Sequence, residues 1–303
     1  MDKEQKSIER IKMASEMSLQ HYGRPLVCTY SGGKDSDVML ELFKRSGIPF
    51  EVHNSHTTAD APQTVYHIRD VFRDLELQGI NCTIDYHVNP DGSRTTMWNL
   101  IPKKLMPPTR LVRYCCSELK EKGCENRMIA TGVRWDESTK RKSRESFEVI
   151  TKRKKDKIVV SDEKMLLSDC DETRKLFEQC QMKAKTVVNP IIDWNTSEIW
   201  DFINSEKIIT NCMYEQMGYE RVGCIGCPMV ANKKRWKEFA DFPQYKQMYI
   251  HAFDRMLNER KRRRKTVNWT CGEEVFLWWM EDDNIPGQMS FEDFPEIIPD
   301  EPN

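Results

Sequence analysis

Leu26-Val27-Cys28-Thr29-Tyr30-Ser31-Gly32-Gly33-Lys34-Asp35-Ser36-Asp37-Val38-Met39-Leu40 opens with a short apolar, β-leaning run and breaks at two glycines. It resumes with Val38, Leu42 and Phe43 at helical spacing. The pattern predicts a strand, a tight loop and a helix N-terminus. Without a Cβ, Gly32 and Gly33 let the backbone turn sharply and bring its N–H groups against a ligand. The unpaired N–H groups and positive dipole end of the following helix then favour a phosphate. Lys34 adds a point charge, and the hydroxyls of Ser31 and Ser36 can donate to phosphate oxygens. Asp35 fits either as a helix-start residue or as a ligand for the Mg²⁺ that accompanies ATP.

The Walker A pattern needs four residues between its glycines, and this loop has none. The full Ser31-Gly32-Gly33-Lys34-Asp35-Ser36 string after a strand instead resembles the PP-loop of the ATP pyrophosphatase superfamily. That resemblance implies binding of the phosphates of ATP or a related adenine nucleotide.

At 303 residues the chain can build one large core, or a core plus an appendage. Its 39% apolar and 31% charged residues suit a globular protein. Met1 to Met17 is charged and helical in pattern, with no apolar signal-peptide core. No run of about 18 apolar residues exists. We therefore expect a cytoplasmic protein with no membrane span. Eleven cysteines in a reducing compartment then point to metal binding or thiol chemistry more than to disulfides.

A net charge of −1 hides local segregation. Residues 140–157 carry Lys140, Arg141, Lys142, Arg144, Lys152, Arg153, Lys154, Lys155 and Lys157, and residues 260–265 read Arg-Lys-Arg-Arg-Arg-Lys. From Glu281 to Asn303 there are eight acids and no bases. Each basic run reads either as a solvated face or as contact with a polyanion such as nucleic acid.

Along the chain, a first helix spans roughly residues 3–20, and the helix after the glycine loop runs to about Arg45. Ile48–His53, Cys82–Val88, Met128–Val133 and Val187–Ile192 read as four further strands. Ala61–Leu77 reads as a helix with Pro62 in its first turn, and Thr196 or Ser197 as the cap of another. Strands alternating with helices predict an α/β protein with a doubly wound, Rossmann-like parallel sheet. Its ligand site lies at the carboxyl ends of the strands, where Ser31 falls. We place this domain at residues 1–242 and a helical C-terminal extension with an acidic tail at 243–303.

Four cysteines stand out by spacing. Cys115 and Cys116 are adjacent, and Cys224 and Cys227 form a Cys-x-x-Cys loop. Two such pairs can complete a Cys₄ metal site, with zinc possible from spacing alone, and Cys224 with Cys227 can also form a redox dithiol. The remaining Cys28, Cys82, Cys124, Cys170, Cys180, Cys212 and Cys271 read as small buried apolar residues.

The loop, the Cys-Cys pair and the distal Cys-x-x-Cys together resemble the phosphoadenosine phosphosulfate (PAPS) reductase family over roughly residues 20–235. Asn189-Pro190-Ile191-Ile192-Asp193-Trp194 and the run from Tyr214 to Cys224 are also similar to that family. The resemblance implies a [4Fe–4S] cluster on Cys115, Cys116, Cys224 and Cys227. Gly132-Val133-Arg134, followed by Glu137, Ser138 and Arg141, resembles the family's substrate loop. It implies that Arg134 and Arg141 clamp anionic groups, with Glu137 and Ser138 in support.

One departure bears on the chemistry. Dedicated sulfonucleotide reductases end in a Glu-Cys-Gly-Ile-His-like segment whose cysteine attacks sulfur. Here Cys271, the last cysteine, sits in Thr270-Cys271-Gly272-Glu273-Glu274. The loop meanwhile keeps the full ATP-type string. We therefore expect an adenylating ATP pyrophosphatase and sulfurtransferase acting on a nucleic acid or a small acceptor, with a sulfur- or electron-donor protein as partner. Lys34 and Asp35 with Mg²⁺ would be its catalytic groups. Reduction of PAPS or its 3′-dephospho analogue APS is the alternative. A non-catalytic nucleotide-binding subunit of a larger complex is the third reading.

Overall fold

The computed structural model describes residues 2–89, 91–121, 123–124, 126–138, 141–150, 158–160 and 185–281. Cys170, Cys180, Lys140, the basic residues 152–157 and the acidic residues beyond Glu281 lie outside that set. The chain forms two compact units, one of Met1–Thr95 with Cys116–Cys224, the other of Thr96–Cys115 with the residues from Ile225 onward.

The first unit begins with α1 (Lys3–Tyr22), β1 (Leu26–Thr29), α2 (Lys34–Ser46), β2 (Phe50–Ser55), α3 (Pro62–Leu77) and β3 (Cys82–Asp85). Gly23 stops α1 at φ 60°, its N–H returning to the Leu19 carbonyl at 3.0 Å. The short strands β4 (Met128–Ala130), β5 (Phe147–Ile150), β6 (Ile158–Val160) and β7 (Lys185–Val188) complete one seven-stranded sheet. Its order is β3-β2-β1-β4-β7-β5-β6. The first five strands are parallel, with Cys28 beside Val52 and Val27 beside Ile129. β5 runs antiparallel to both β7 and β6. The sheet is thus mixed at one edge, where sequence reading placed only a basic run. Phe147 and Glu148 pack there fully buried although charged residues flank them, because Arg144 pairs with the Glu148 carboxylate.

Leu26 and Cys28 point into the main core with Ile11, Leu42, Phe43 and Phe72, so α1, α2 and α3 all contribute to it. Val27, on the opposite side of β1, meets Ile129 and Val187 in a smaller cluster. Strand order runs from β1 outward to β3 in one direction and from β1 through β4 to β7 in the other. The reversal lies between β1 and β4, and crevices for ligands form at the carboxyl ends of strands flanking such a reversal.

Strand ends differ from the sequence reading. β3 stops at Asp85 because that carboxylate takes the His87 N–H at 2.9 Å and His87 turns to φ 43°. Beyond β7 the chain turns at Asn189 and enters α6 (Thr196–Glu206), then α7 (Met213–Met217). The cap of α6 is Asn195, one residue earlier than expected. Its side chain accepts the Glu198 N–H at 2.9 Å, and Glu198 accepts the Asn195 N–H at 2.7 Å.

The second unit comprises α4 (Met97–Lys104), α8 (Asn232–Asp241), α9 (Pro243–Arg262) and α10 (Gly272–Met280). The remaining short helix, α5 (Tyr114–Leu119), contains the boundary between the units. Trp279 centres the second unit's core, 4.7 Å from the Tyr249 ring and 5.5 Å from Phe253, with its Nε1–H donated to the Pro108 carbonyl at 2.6 Å. Gly272 lets α10 start hard against α9, since a Cβ there would stand 2.3 Å from the Ile250 carbonyl oxygen. The basic run 260–265 is only partly a charged face. Arg260 is buried and donates to the Leu105 and Thr266 carbonyls, and Arg262 and Arg263 both pair with Glu259.

Candidate functional site

The loop after β1 has the form its glycines allow. Gly32 adopts φ +71°, and a Cβ on it would lie 2.8 Å from Ile68 Cγ1. Gly33 caps α2 from extended backbone, and its carbonyl accepts the N–H groups of Ser36 at 2.8 Å and Asp37 at 3.0 Å. Ser36, buried, spends its hydroxyl on Gly33, 3.1 Å from its N–H and 2.7 Å from its carbonyl. Ser31 stays exposed at the rim.

Residues far along the chain brace this loop. Buried Asn211 donates to the Gly32 carbonyl at 3.2 Å and to Thr64 Oγ1 at 3.0 Å. The Tyr214 hydroxyl accepts the Lys34 N–H at 2.9 Å. Burial raises the pKa of Tyr214, and Asp35 and Asp37 push the same way, so it stays a neutral phenol. Lys34 is itself 6% exposed, with Nζ 3.4 Å from the Glu220 carbonyl and 3.6 Å from Asp35 Oδ2.

Across the strand-order reversal, the segment after β4 supplies the opposing charge. Arg134 is 2% exposed and donates from Nε to Asp35 Oδ1 at 2.8 Å and from a terminal nitrogen to the Trp194 carbonyl at 3.2 Å. Asp35, N-terminal in α2, is therefore the internal counter-ion of both Lys34 and Arg134. Asp136 accepts the N–H and hydroxyl of Thr196, and those bonds hold its pKa below the usual carboxylate range. Glu137 pairs with Arg141, while Ser138 is exposed. Burial lowers the Arg141 pKa to about 10, and the nearby cations Arg221 and Arg144 act in the same direction. Arg141 thus stands among further guanidinium groups, with Glu137 as its paired carboxylate.

The structure thus brings Lys34, Asp35 and Arg134 into one ion-paired group and joins Glu137 to Arg141. Sequence reasoning missed Asn211, the role of Tyr214, and Arg221. It also missed a buried network below the loop. There the Tyr30 hydroxyl donates to Asp37 Oδ1 at 2.5 Å, and His67 Nε2 lies 2.9 Å from that hydroxyl and 3.1 Å from Oδ1.

Of the four paired cysteines, Cys116 and Cys224 lie in the first unit and Cys115 and Cys227 in the second. Cys224 lies beside the segment after β2, donating to Thr57 Oγ1 at 3.3 Å and forming a bridge with Asp60. The unit boundary passes between Cys115 and Cys116 and just after Cys224. Four thiols in two pairs match the soft donor set of an iron–sulfur cluster. Among the described residues, however, no three His, Cys, Asp or Glu side chains gather closely enough to hold a metal ion.

A mostly parallel sheet, a Ser-Gly-Gly-Lys-Asp-Ser loop at its strand-order reversal and a cationic rim opposite define a nucleotide-binding PP-loop protein. The chain belongs to the PAPS reductase family: the phosphoadenosine phosphosulfate reductase domain matches residues 25–230. It is 33% identical over 73 residues to the uncharacterized protein MJ0973 of Methanocaldococcus jannaschii, covering 24% of this chain and 16% of that protein. It is 23% identical over 231 residues to MJ0066 of the same organism, also uncharacterized, covering 73% of this chain and 40% of that protein. The chain therefore spans less than half the length of either relative.

Among solved structures, a PAPS reductase from Candida auris, in complex with phosphate, has a TM-score of 0.40 at 15% identity. That match covers 72% of this chain and 93% of the other. The U34-tRNA thiolase NcsA from Methanococcus maripaludis, with its [4Fe–4S] cluster, has a TM-score of 0.40 at 14% identity, covering 85% and 81%. Likeness at this level says nothing of chemistry. No helix among the described residues is long and apolar enough to cross a membrane.

Proposed function

We propose that the chain binds ATP at the Ser31–Ser36 loop, cleaves it between the α and β phosphates, and uses the adenylated acceptor for sulfur transfer. The supporting observation is the charge arrangement at the loop. Lys34 is held at the start of α2, where helix N–H groups also point, and Arg141 and Arg221 raise the cationic potential opposite. In the proposed step an acceptor nucleophile attacks the α phosphorus. The bond to the bridging oxygen breaks, and pyrophosphate leaves with the electron pair. Lys34 and the positive end of the α2 dipole stabilise that leaving charge. Arg134 orients Asp35, and Asp35 keeps the two cations apart when no phosphate is present.

Mg²⁺, when bound with ATP, would neutralise pyrophosphate charge. Asp35 already has a cation near each carboxylate oxygen, so it could hold Mg²⁺ only after Lys34 turns to the phosphates. The [4Fe–4S] assignment to Cys115, Cys116, Cys224 and Cys227 remains our proposal from the cysteine pattern and the family, and no step is routed through it.

Cys271 speaks against sulfonucleotide reduction. It is the N-cap of α10, and Gly272 beside it is pinned by its N–H to Asp254 at 2.6 Å. A thiol that must travel to a substrate sulfur needs a mobile segment, and this one anchors a helix.

The test is pyrophosphate release from ATP. We expect release by the wild type, loss of about 100-fold or more in Lys34→Ala, and retention in Cys271→Ser. Sulfite release from PAPS with reduced thioredoxin, abolished in Cys271→Ser, would instead make the protein a reductase.

A further inference from the structure

The described residues of the second unit are strongly basic although the whole chain is nearly neutral. They hold sixteen Lys and Arg against seven Asp and Glu, a formal charge of about +9. Part of that charge is structural: Arg235 and Arg260 are buried, and Glu259 offsets Arg262 and Arg263. The rest is organised most clearly on α8. Arg235, Glu238 and Phe239 face inward, the Arg235 guanidinium lying 4.1 Å from the Trp279 ring centre and the Glu238 carboxylate accepting the Gly226 N–H at 2.7 Å.

Turning these three inward leaves Lys233, Trp236, Lys237 and Ala240 on the exposed stripe, at the i, i+3, i+4, i+7 spacing of one helix face. Lys234 is exposed beside them. Trp236 is 43% exposed, with its ring nearly perpendicular to that of Phe276 at a centroid distance of 5.9 Å. Lys246 lies 5.4 Å over that same Phe276 ring. On α8 itself the exposed acid is Asp241, paired with Lys237 at 2.6 Å, and Glu273 is exposed one turn before Phe276 on α10.

An indole packed against one aromatic ring yet substantially open to solvent, among lysines, matches a particular partner chemistry. Phosphates pair with the lysines, and a base with a free π face stacks on the ring. We propose that the exposed face of α8, centred on Trp236, binds single-stranded nucleic acid, which names the acceptor class for the sulfur transfer and rests on that reading. Duplex DNA or RNA hides its base faces within the stack and has nothing to offer Trp236. The competing polyanion is the chain's own tail. Residues 282–303 hold seven acids and no bases, and pairing all of them would still leave the unit cationic.

The experiment is fluorescence anisotropy of a labelled single-stranded 12-nucleotide RNA of mixed sequence, with the full chain, without ATP, at several salt concentrations. Wild type should bind. Trp236→Ala should weaken binding roughly tenfold with little change in the salt slope, and Trp236→Phe should restore most of it. Lys233→Gln with Lys237→Gln should lower the slope of log affinity against log salt by about one. The proposal is overturned if wild type does not bind, if Trp236→Ala binds as well as wild type, or if duplex RNA of the same sequence binds equally. It is also overturned if a synthetic peptide of residues 282–303 displaces the RNA at equal concentration, which would make the tail the occupant. Binding uses no nucleotide, so its failure and a failure of pyrophosphate release are read separately.

Discussion

At φ +71°, Gly32 holds a conformation that costs an L-residue about 1–2 kcal/mol, and a Cβ there would also press on Ile68 at 2.8 Å. Gly32→Ala should therefore lower unfolding free energy by roughly 1–3 kcal/mol in a urea titration and weaken ATP binding at least about tenfold. Adding Ile68→Ala removes both Ile68 atoms that the new Cβ would meet, so in a double-mutant cycle the double variant should lose less stability than the sum of the two single losses. Strict additivity of the two losses would mean that contact with Ile68 is not the cause. The glycines, Lys34 and Asp35 were legible in the sequence because their chemistry is local to six residues. Asn211 was not, because its amide reaches Gly32 across 179 residues, and nothing in its own neighbourhood marks it. Arg134 was legible as an arginine after a strand. Its near-complete burial and its bond to Asp35, which make it a brace for the loop, needed the fold.

Elements follow the same division. β1 was read correctly to within a residue because its apolar run is unbroken, whereas β5 and β6 were hidden by the charged residues around them. One ion pair ties two distant elements together. Asp193, in the turn after β7, accepts from Arg10 of α1 at 2.8 Å, and Arg10 is 3% exposed and also donates to the Pro190 carbonyl. Burial alone would raise the Asp193 pKa, but the Arg10 hydrogen bond and charge outweigh it, and the net shift is downward. A carboxylate with a depressed folded pKa contributes stability above its unfolded pKa of about 3.9 and loses that contribution as pH falls through the folded value. Asp193→Asn should thus cost about 2–4 kcal/mol at pH 7, leaving the buried Arg10 without its partner charge. The gap between variant and wild type should be flat from pH 7 to 5 and close only below about pH 4, followed by urea midpoints across that range. A gap already closing near pH 6 would mean that another group carries the effect.

For the molecule as a whole, the cysteine proposal gives a composition that can be weighed. Protein purified without oxygen should be brown, with about four irons and four acid-labile sulfides per chain, and Cys224→Ser or Cys227→Ser should bleach it. Stoichiometric zinc with no labile sulfide would end the iron–sulfur reading. The sequence reading placed a helical extension at residues 243–303 and no interleaved unit, because pattern along the chain does not show which distant segments pack together. Thr96–Cys115 belongs with the C-terminal helices, and α4 packs on α9 although roughly 140 residues separate them. That interleaving sets an order in time. As the chain leaves the ribosome, Met97–Lys104 emerges with its apolar face bare and stays so until Pro243–Arg262 follows. At about 5–20 residues per second the wait is on the order of ten to thirty seconds. Leu100 and Ile101, buried in the finished protein, are exposed to the nascent-chain chaperones throughout that interval.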